Sequence, residues 1–362
     1  MSLRLHLDHL FVEEGGLISF ERFMTEALYH PRFGYYSSNI CTVGRRGDFS
    51  TAVTLHPAVA EAVARWALRE RRESLGLTRF HPWRVIEVGG GDGAMARDFL
   101  AALSRIDRLL LTYHIVEISE PLRRRQQKVL GRAVRWNRTM EEALYCCGGK
   151  ALIFSNELVD AFPVVVVRWN HTAGRWEELY LRDLGRQGID EEWAPIAETR
   201  RRELESTAFL EGPDMAPRKH LQRYEVHASY RSWLESWVPQ WRKGSLLTID
   251  YGERLPELSN RRLEGTVRAF FQGVRLQGAE VYDRFGHQDL TADVNFGDLM
   301  LWGEWLGLES VRHQTQRDFV LERVSWARDA ARIRLDPALE FILSPYGAGD
   351  AFKVLWQRRR EQ

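Results

Sequence analysis

Cysteine is scarce in this chain: Cys41, Cys146 and Cys147 are the three among 362 residues. Two of them are adjacent, just before Gly148-Gly149, so no evenly spaced framework exists and a disulfide-stapled secreted fold is excluded in favour of a reducing compartment. Long apolar runs are lacking as well; none approaches the roughly eighteen residues of a membrane-spanning helix. The opening Met1-Ser2-Leu3-Arg4-Leu5-His6-Leu7 has no succession of basic, apolar and small residues that would mark a secretion signal, and a cytoplasmic protein that enters no membrane is expected. Charge of one sign is not in excess either. Lys and Arg number 51 against 50 Asp and Glu, and a net charge of +1 provides no overall field for gathering nucleic acid or anionic lipid. Internal repeats and low-complexity tracts are absent.

What is present is an ordinary globular composition, 44% hydrophobic and 28% charged, in a chain longer than one usual domain. The periodic segments run helix-rich for about eighty residues, then alternate strand with helix, pass a charged interruption and return to strands, which predicts an α/β fold on a mainly parallel sheet. Strands are predicted over 83–88, 112–117, 151–155, 163–169, 245–251, 265–271 and 350–356. Helices are predicted over 94–104 and 121–130, with a short one over 156–161 that Pro163 curtails. The division expected is a helical extension over 1–80, a nucleoside-binding core formed by 81–169 with 244–362, and an inserted cap over 170–243. Arg and Glu are dense from Arg182 to Glu205, Gly212-Pro213 breaks the cap, and Leu221 to Trp241 is amphipathic. In that last stretch Trp233, Trp237 and Trp241 recur every four residues, a pattern read as buried packing ahead of an acceptor groove.

The most informative stretch is Val85-Ile86-Glu87-Val88-Gly89-Gly90-Gly91-Asp92-Gly93, an apolar strand ending in an acid and running into a glycine-rich turn. Glycines at alternate positions let a ligand approach the backbone without meeting Cβ atoms. Gly89, Gly91 and Ala94 also satisfy a dinucleotide pattern, so an oxidoreductase remains a distant alternative. Charge separates the two readings. A dinucleotide would place anionic pyrophosphate beside Glu87, whereas S-adenosylmethionine brings a cationic sulfonium and an α-ammonium. Glu117, at the end of Tyr113-His114-Ile115-Val116, is placed to accept two ribose hydroxyls in either case.

Six ordered segments together resemble the MidA-like methyltransferases over most of the chain. They are Gly34-Tyr35-Tyr36 after an opening helix, Gly47-Asp48-Phe49-Ser50-Thr51, Asn156-Glu157-Leu158-Val159-Asp160-Ala161-Phe162-Pro163, Asp250-Tyr251-Gly252, Gly265-Thr266-Val267-Arg268-Ala269-Phe270, and Asp289-Leu290-Thr291-Ala292-Asp293-Val294-Asn295-Phe296. The resemblance implies a class I methyltransferase fold, which is Rossmann-like, with S-adenosyl-L-methionine as methyl donor. For a mitochondrial member of the family it implies a protein arginine acceptor, so a protein substrate of the respiratory-complex-subunit type is an expected partner. The glycine turn differs from the family's usual G-P-G-x-G, and Val53-Thr54 stands where the family has P-E.

Cofactor contacts are expected from Asp48, Thr51, Glu87, Gly89, Gly91, Gly93, Glu117 and Asn156. Glu157 and Asp160, three apart at a strand's carboxyl end, would share a helical face toward the acceptor; the bland alternative is a helix capped by Asn156, with Glu157 complementing its dipole and Asp160 solvated. Arg268, in an apolar strand, is read evenly as a site residue binding a carboxylate or as one half of an ion pair with Asp289 or Asp293. No metal is expected, because His6, Asp8 and His9 lack further ligands and read as a solvated helix. Arg123-Arg124-Arg125 and Arg200-Arg201-Arg202 read as solvated faces, with no nucleic acid implied. A homodimer is allowed without being required. Two other functions stay open: a non-catalytic, cofactor-binding assembly protein, suggested by Val53-Thr54 and Asp92, and a small-molecule methyltransferase.

Overall fold

The computed structural model describes residues 3–40, 56–185, 188–204, 207 and 221–360. Its contacts resolve two units, each assembled from three stretches of chain: 41–158 with 234–251 and 303–362, and 1–40 with 159–233 and 252–302. The expected boundaries grouped the chain otherwise, joining 252–302 to the nucleoside core and separating 1–80 from 170–243.

The first unit carries the large sheet. Its strands are β1 (Trp83–Val88), β2 (Leu111–Val116), β3 (Arg135–Asn137), β4 (Leu152–Asn156), β5 (Ser245–Glu253), β6 (Leu308–Thr315) and β7 (Phe352–Arg359), in the spatial order 3-2-1-4-5-7-6. The first five are parallel, and β7 lies antiparallel between β5 and β6. Central strands of such a sheet are covered on both faces and read as unbroken apolar runs. Accordingly Val85, Ile86, Ile115, Leu152, Ile153, Phe154, Leu247 and Ile249 are fully buried. Each such side chain contributes up to about 1.5–3 kcal/mol of burial energy. The chain builds β1, β2 and β3 outward, then returns to lay β4 on the other side of β1, and the carboxyl ends of β1 and β4 at such a reversal are where open α/β sheets hold ligands.

The second unit is built on two antiparallel sheets, with one short parallel pairing of Gly252–Glu253 to Val294–Asn295. One sheet runs Leu17–Ser19, Arg175–Asp183, Val165–Asn170, Arg223–Val226, with Ile189–Pro195 also on Arg175–Asp183; a second joins Val274–Leu276, Arg268–Phe271 and Asp289–Thr291. The strands predicted over 163–169 and 265–271 therefore exist, but outside the parallel sheet. An apolar run reports that both faces are covered and is silent on which strand lies alongside. Among the tryptophans, Trp237 and Trp241 are fully buried in the first unit, where Trp241 Nε1 donates to the Ala151 carbonyl at 3.1 Å. Packing is their role there. Trp233 belongs to the second unit and rests on Phe162 and Tyr230.

Candidate functional site

At the end of β1 the turn Gly89–Gly93 takes left-handed φ values of 71°, 52° and 88° at Gly89, Gly91 and Gly93, a conformation glycine adopts without a Cβ penalty. Helix Ala94–Ala101 begins directly after it. Asp92 Oδ1 accepts the Ala94 N–H at 3.0 Å, so this acid secures the start of that helix, and the loop departs from the family's pattern only at Gly90, where the family has proline. A Cβ built on Gly91 would meet nothing within 4 Å, which leaves this face of the turn open to a ligand.

Glu87 is 2% exposed, and its carboxylate accepts the Tyr113 hydroxyl at 2.8 Å. Burial pushes its carboxyl up to about 8, against the opposing pull of the Tyr113 bond, and the neighbouring Glu117 and Asp92 add to the rise. Glu117 follows β2; its Oε1 accepts Ser119 N–H at 2.9 Å and its Oε2 accepts Gln126 Nε2–H at 3.0 Å. Burial lifts it to about 7. Asn156 ends β4, with Nδ2 donating to Glu157 Oε1 at 3.1 Å and with a buried Oδ1 that has no hydrogen-bond partner among the described residues. Two acids short of positive partners, an orphaned acceptor and a bare glycine face fit a cationic nucleoside such as S-adenosylmethionine. Asp48 and Thr51 lie outside the described residues.

Glu157 has φ of 53°, a left-handed value uncommon for a residue with a side chain. Its N–H donates to the Ile249 carbonyl at 2.9 Å, and the next N–H, of Leu158, donates to Asp250 Oδ2 at 3.1 Å. Asp250 also accepts Tyr251 N–H at 2.9 Å and is fully buried, so β5 braces the turn that follows β4. The short helix expected over 156–161 contracts to one 3-10 turn, Val159–Ala161. A shared helical face therefore does not relate Glu157 to Asp160. In the second unit Asp160 is 5% exposed and its carbonyl accepts Ala292 N–H at 3.0 Å.

Arg268 is buried in that second unit and paired with Asp293, the ion-pair arrangement that the sequence left open; its Nη1 also donates to the Thr266 carbonyl at 3.2 Å. Truncating it to alanine would leave the buried Asp293 to the more exposed Arg262, 3.6 Å away, and the expected cost is on the order of a few kcal/mol in a denaturant melt. A variant as stable as the wild type would rule out a bracing role. A cleft in the same unit is lined by Arg223, Glu225, Thr266 and Asn295, but Glu225 is committed to the Thr266 N–H and hydroxyl at 2.8 and 3.0 Å.

Two readings of solvated groups change. Arg200 is half-buried, with Nη2 2.6 Å from Glu21 and Nη1 2.7 Å from Glu203. His6 is half-buried too, and its ligand atoms cluster with those of Glu26 and His30 within 4.8 Å. Each of these three already has partners: Glu26 has Arg22 at 3.0 Å and His6 at 3.1 Å, while His30 Nδ1 accepts the N–H groups of Arg32 and Phe33.

A parallel sheet ordered 3-2-1-4-5-7-6, with a glycine turn after β1 and acids closing β1 and following β2, defines a class I nucleoside-dependent methyltransferase. The chain belongs to the family described as "Putative S-adenosyl-L-methionine-dependent methyltransferase", which residues 62–314 match. It is similar to the mitochondrial protein arginine methyltransferase NDUFAF7 of Rattus norvegicus, 25% identical over 340 residues that cover 85% of this chain and 72% of the relative. It is 26% identical over 200 residues to the NDUFAF7 homolog of Drosophila melanogaster, covering 49% of this chain and only 44% of that protein. Among solved structures, a COG1565 superfamily member from Burkholderia thailandensis bound to S-adenosyl-homocysteine superposes with a TM-score of 0.82 at 26% identity, covering 98% of this chain and 91% of that one. S-adenosyl-L-methionine is thus the cofactor.

The expected cytoplasmic location is corrected by these relatives, which are named mitochondrial. Few cysteines indicate a reducing compartment without saying which one. Among the described residues no helix is long and apolar enough to cross a membrane.

Proposed function

We propose that the chain methylates a protein arginine, with Glu157 as the carboxylate that meets the acceptor. The observation that carries this reading is the left-handed turn at Glu157, held by Ile249 and Asp250 at the carboxyl end of β4. Backbone held in a sparsely populated conformation by buried partners is a hallmark of functional positions. The names of the relatives supply the acceptor class.

When bound, S-adenosylmethionine supplies an electrophilic methyl on a positively charged sulfur. Glu117 would accept the ribose hydroxyls, and Glu87 would sit toward the cationic end. The exposed apolar side chain of Ile118, beside Glu117, would gain cover from a nucleobase. Glu157 would orient a planar guanidinium and favour loss of its proton as nitrogen gains the methyl.

The test is transfer of labelled methyl from S-adenosylmethionine into a lysate of cells lacking the protein, followed by mass spectrometry of the labelled band. Methylarginine is expected, and Glu157→Gln should lower incorporation by about a hundredfold or more while S-adenosylhomocysteine still binds. Label recovered only in extractable small molecules would refute a protein acceptor. Cofactor binding without any transfer would favour an assembly protein.

A further inference from the structure

Gln126 is fully buried in the middle of helix Glu120–Leu130, yet all of its polar atoms face the nucleoside turn or its supports. Its Nε2 donates to the Gly91 carbonyl at 2.9 Å and to Glu117 Oε2 at 3.0 Å, while its Oε1 accepts Trp136 Nε1–H at 3.0 Å. An indole nitrogen only donates, so Trp136 fixes the amide oxygen and leaves the two amide N–H groups for Gly91 and Glu117. The orientation follows from chemistry alone. A Cβ on Gly90 would come within 3.0 Å of that same nitrogen, so the amide packs directly under the turn.

We infer that Gln126 is a positioning residue for cofactor binding: it holds Glu117 as an acceptor toward the ribose and fixes the Gly91 carbonyl, acting through both without touching the ligand. The inference rests on the reading that S-adenosylmethionine occupies this turn. Ser119 N–H takes one oxygen of Glu117 and Gln126 takes the other. With the Ile118 N–H as a further donor, the carboxylate still keeps a lone-pair site for a ribose hydroxyl. The charged groups facing Glu117 are Arg123 on the same helix, which favours ionisation, and Glu87 at the end of β1, which opposes it; Asp92 in the turn acts on Glu87 in the same sense.

Gln126→Glu tests this with almost no change of shape. One oxygen can still accept from Trp136, but the other now faces Glu117 and the Gly91 carbonyl, where a donor stood. At low pH the two carboxyls share a proton and one donor is restored; at high pH both ionise and repel. S-adenosylhomocysteine affinity of the wild type should hold or rise between about pH 6 and 8.5 as Glu117 ionises, whereas the variant should lose about tenfold to a hundredfold over the same range. The slopes would have opposite sign, which lost packing alone does not produce. A folded Gln126→Glu protein whose affinity runs parallel to the wild type overturns the inference.

Gln126→Met covers the case in which the first variant does not fold. It keeps length and apolar bulk, removes the amide, and should weaken binding by about tenfold or more at every pH. Wild-type affinity in folded Gln126→Met would overturn the inference. Wild-type protein that fails to bind S-adenosylhomocysteine would bring down the site reading itself, and the inference with it.

Discussion

Replacing Gly91 by valine is expected to abolish S-adenosylhomocysteine binding, a loss of at least about a hundredfold, in a protein that still folds. The residue sits at φ 52° and a Cβ there meets no neighbouring atom, so the substitution costs backbone strain of about 1–3 kcal/mol without a clash in the core. The branched side chain instead occupies the open face of the turn. Gly91→Ala should fall between the two. Calorimetric titration, with circular dichroism to verify folding, reads the result; a folded valine variant that binds like the wild type would remove the turn from the cofactor site.

Without ligand, the protein should become less stable as the pH is raised from about 6.5 to about 8, above the range in which the histidines that folding keeps neutral, His227, His114, His30 and His56, add stability with rising pH. Burial lifts Glu87 to about 8 and Glu117 to about 7. Across this window the folded state holds protons that the unfolded chain, with ordinary glutamates, has already released, so the stability these two acids contribute is fully present below about pH 4.5 and is lost as the pH rises through the folded values. The combined effect is on the order of a few kcal/mol. A cationic ligand favours the ionised form of Glu87. Stabilisation by S-adenosylmethionine should therefore grow over the same interval, and more than stabilisation by S-adenosylhomocysteine, which lacks the sulfonium charge. Urea melts at constant ionic strength measure both; a flat ligand-free profile would show that these acids are not buried as described.

The nucleoside half of the molecule was largely legible in the sequence. Strands expected over 83–88, 112–117, 151–155 and 245–251 appear as β1, β2, β4 and β5 within a few residues. Parallel strands covered on both faces leave unbroken apolar runs, and a strand that ends in an acid before alternating glycines is a local pattern. The antiparallel half was hidden. Arg175–Asp183 and Ile189–Pro195 look like a charged interruption because their ion pairs lie across the hairpin, as Arg182 and Glu192 do at 2.6 Å. Leu17–Ser19 finds its partner in Arg175–Asp183, far along the chain, and no local pattern announces such a pairing.

The candidate site was legible in part. Glu87, Glu117 and the glycines stand at strand ends, where spacing alone points. Gln126 gave no sign, since it follows three arginines on a helix and only its complete burial sets it apart. Asp250 was visible within a motif but not as the brace for Glu157, because that bond joins two neighbouring strands across about ninety residues of chain.

Each unit is stitched from three separated stretches of chain, with consequences for how the protein is made. A ribosome delivers 1–40 early, but the last stretch of that unit emerges only at residue 302, and β6 and β7 of the parallel sheet come later still. Neither half can close before its last stretch emerges, and neither can be excised as one continuous fragment. The edge of β4 that β5 will cover must wait in the open meanwhile, so yield in a foreign host should depend on chaperone supply more than on the final stability of the product.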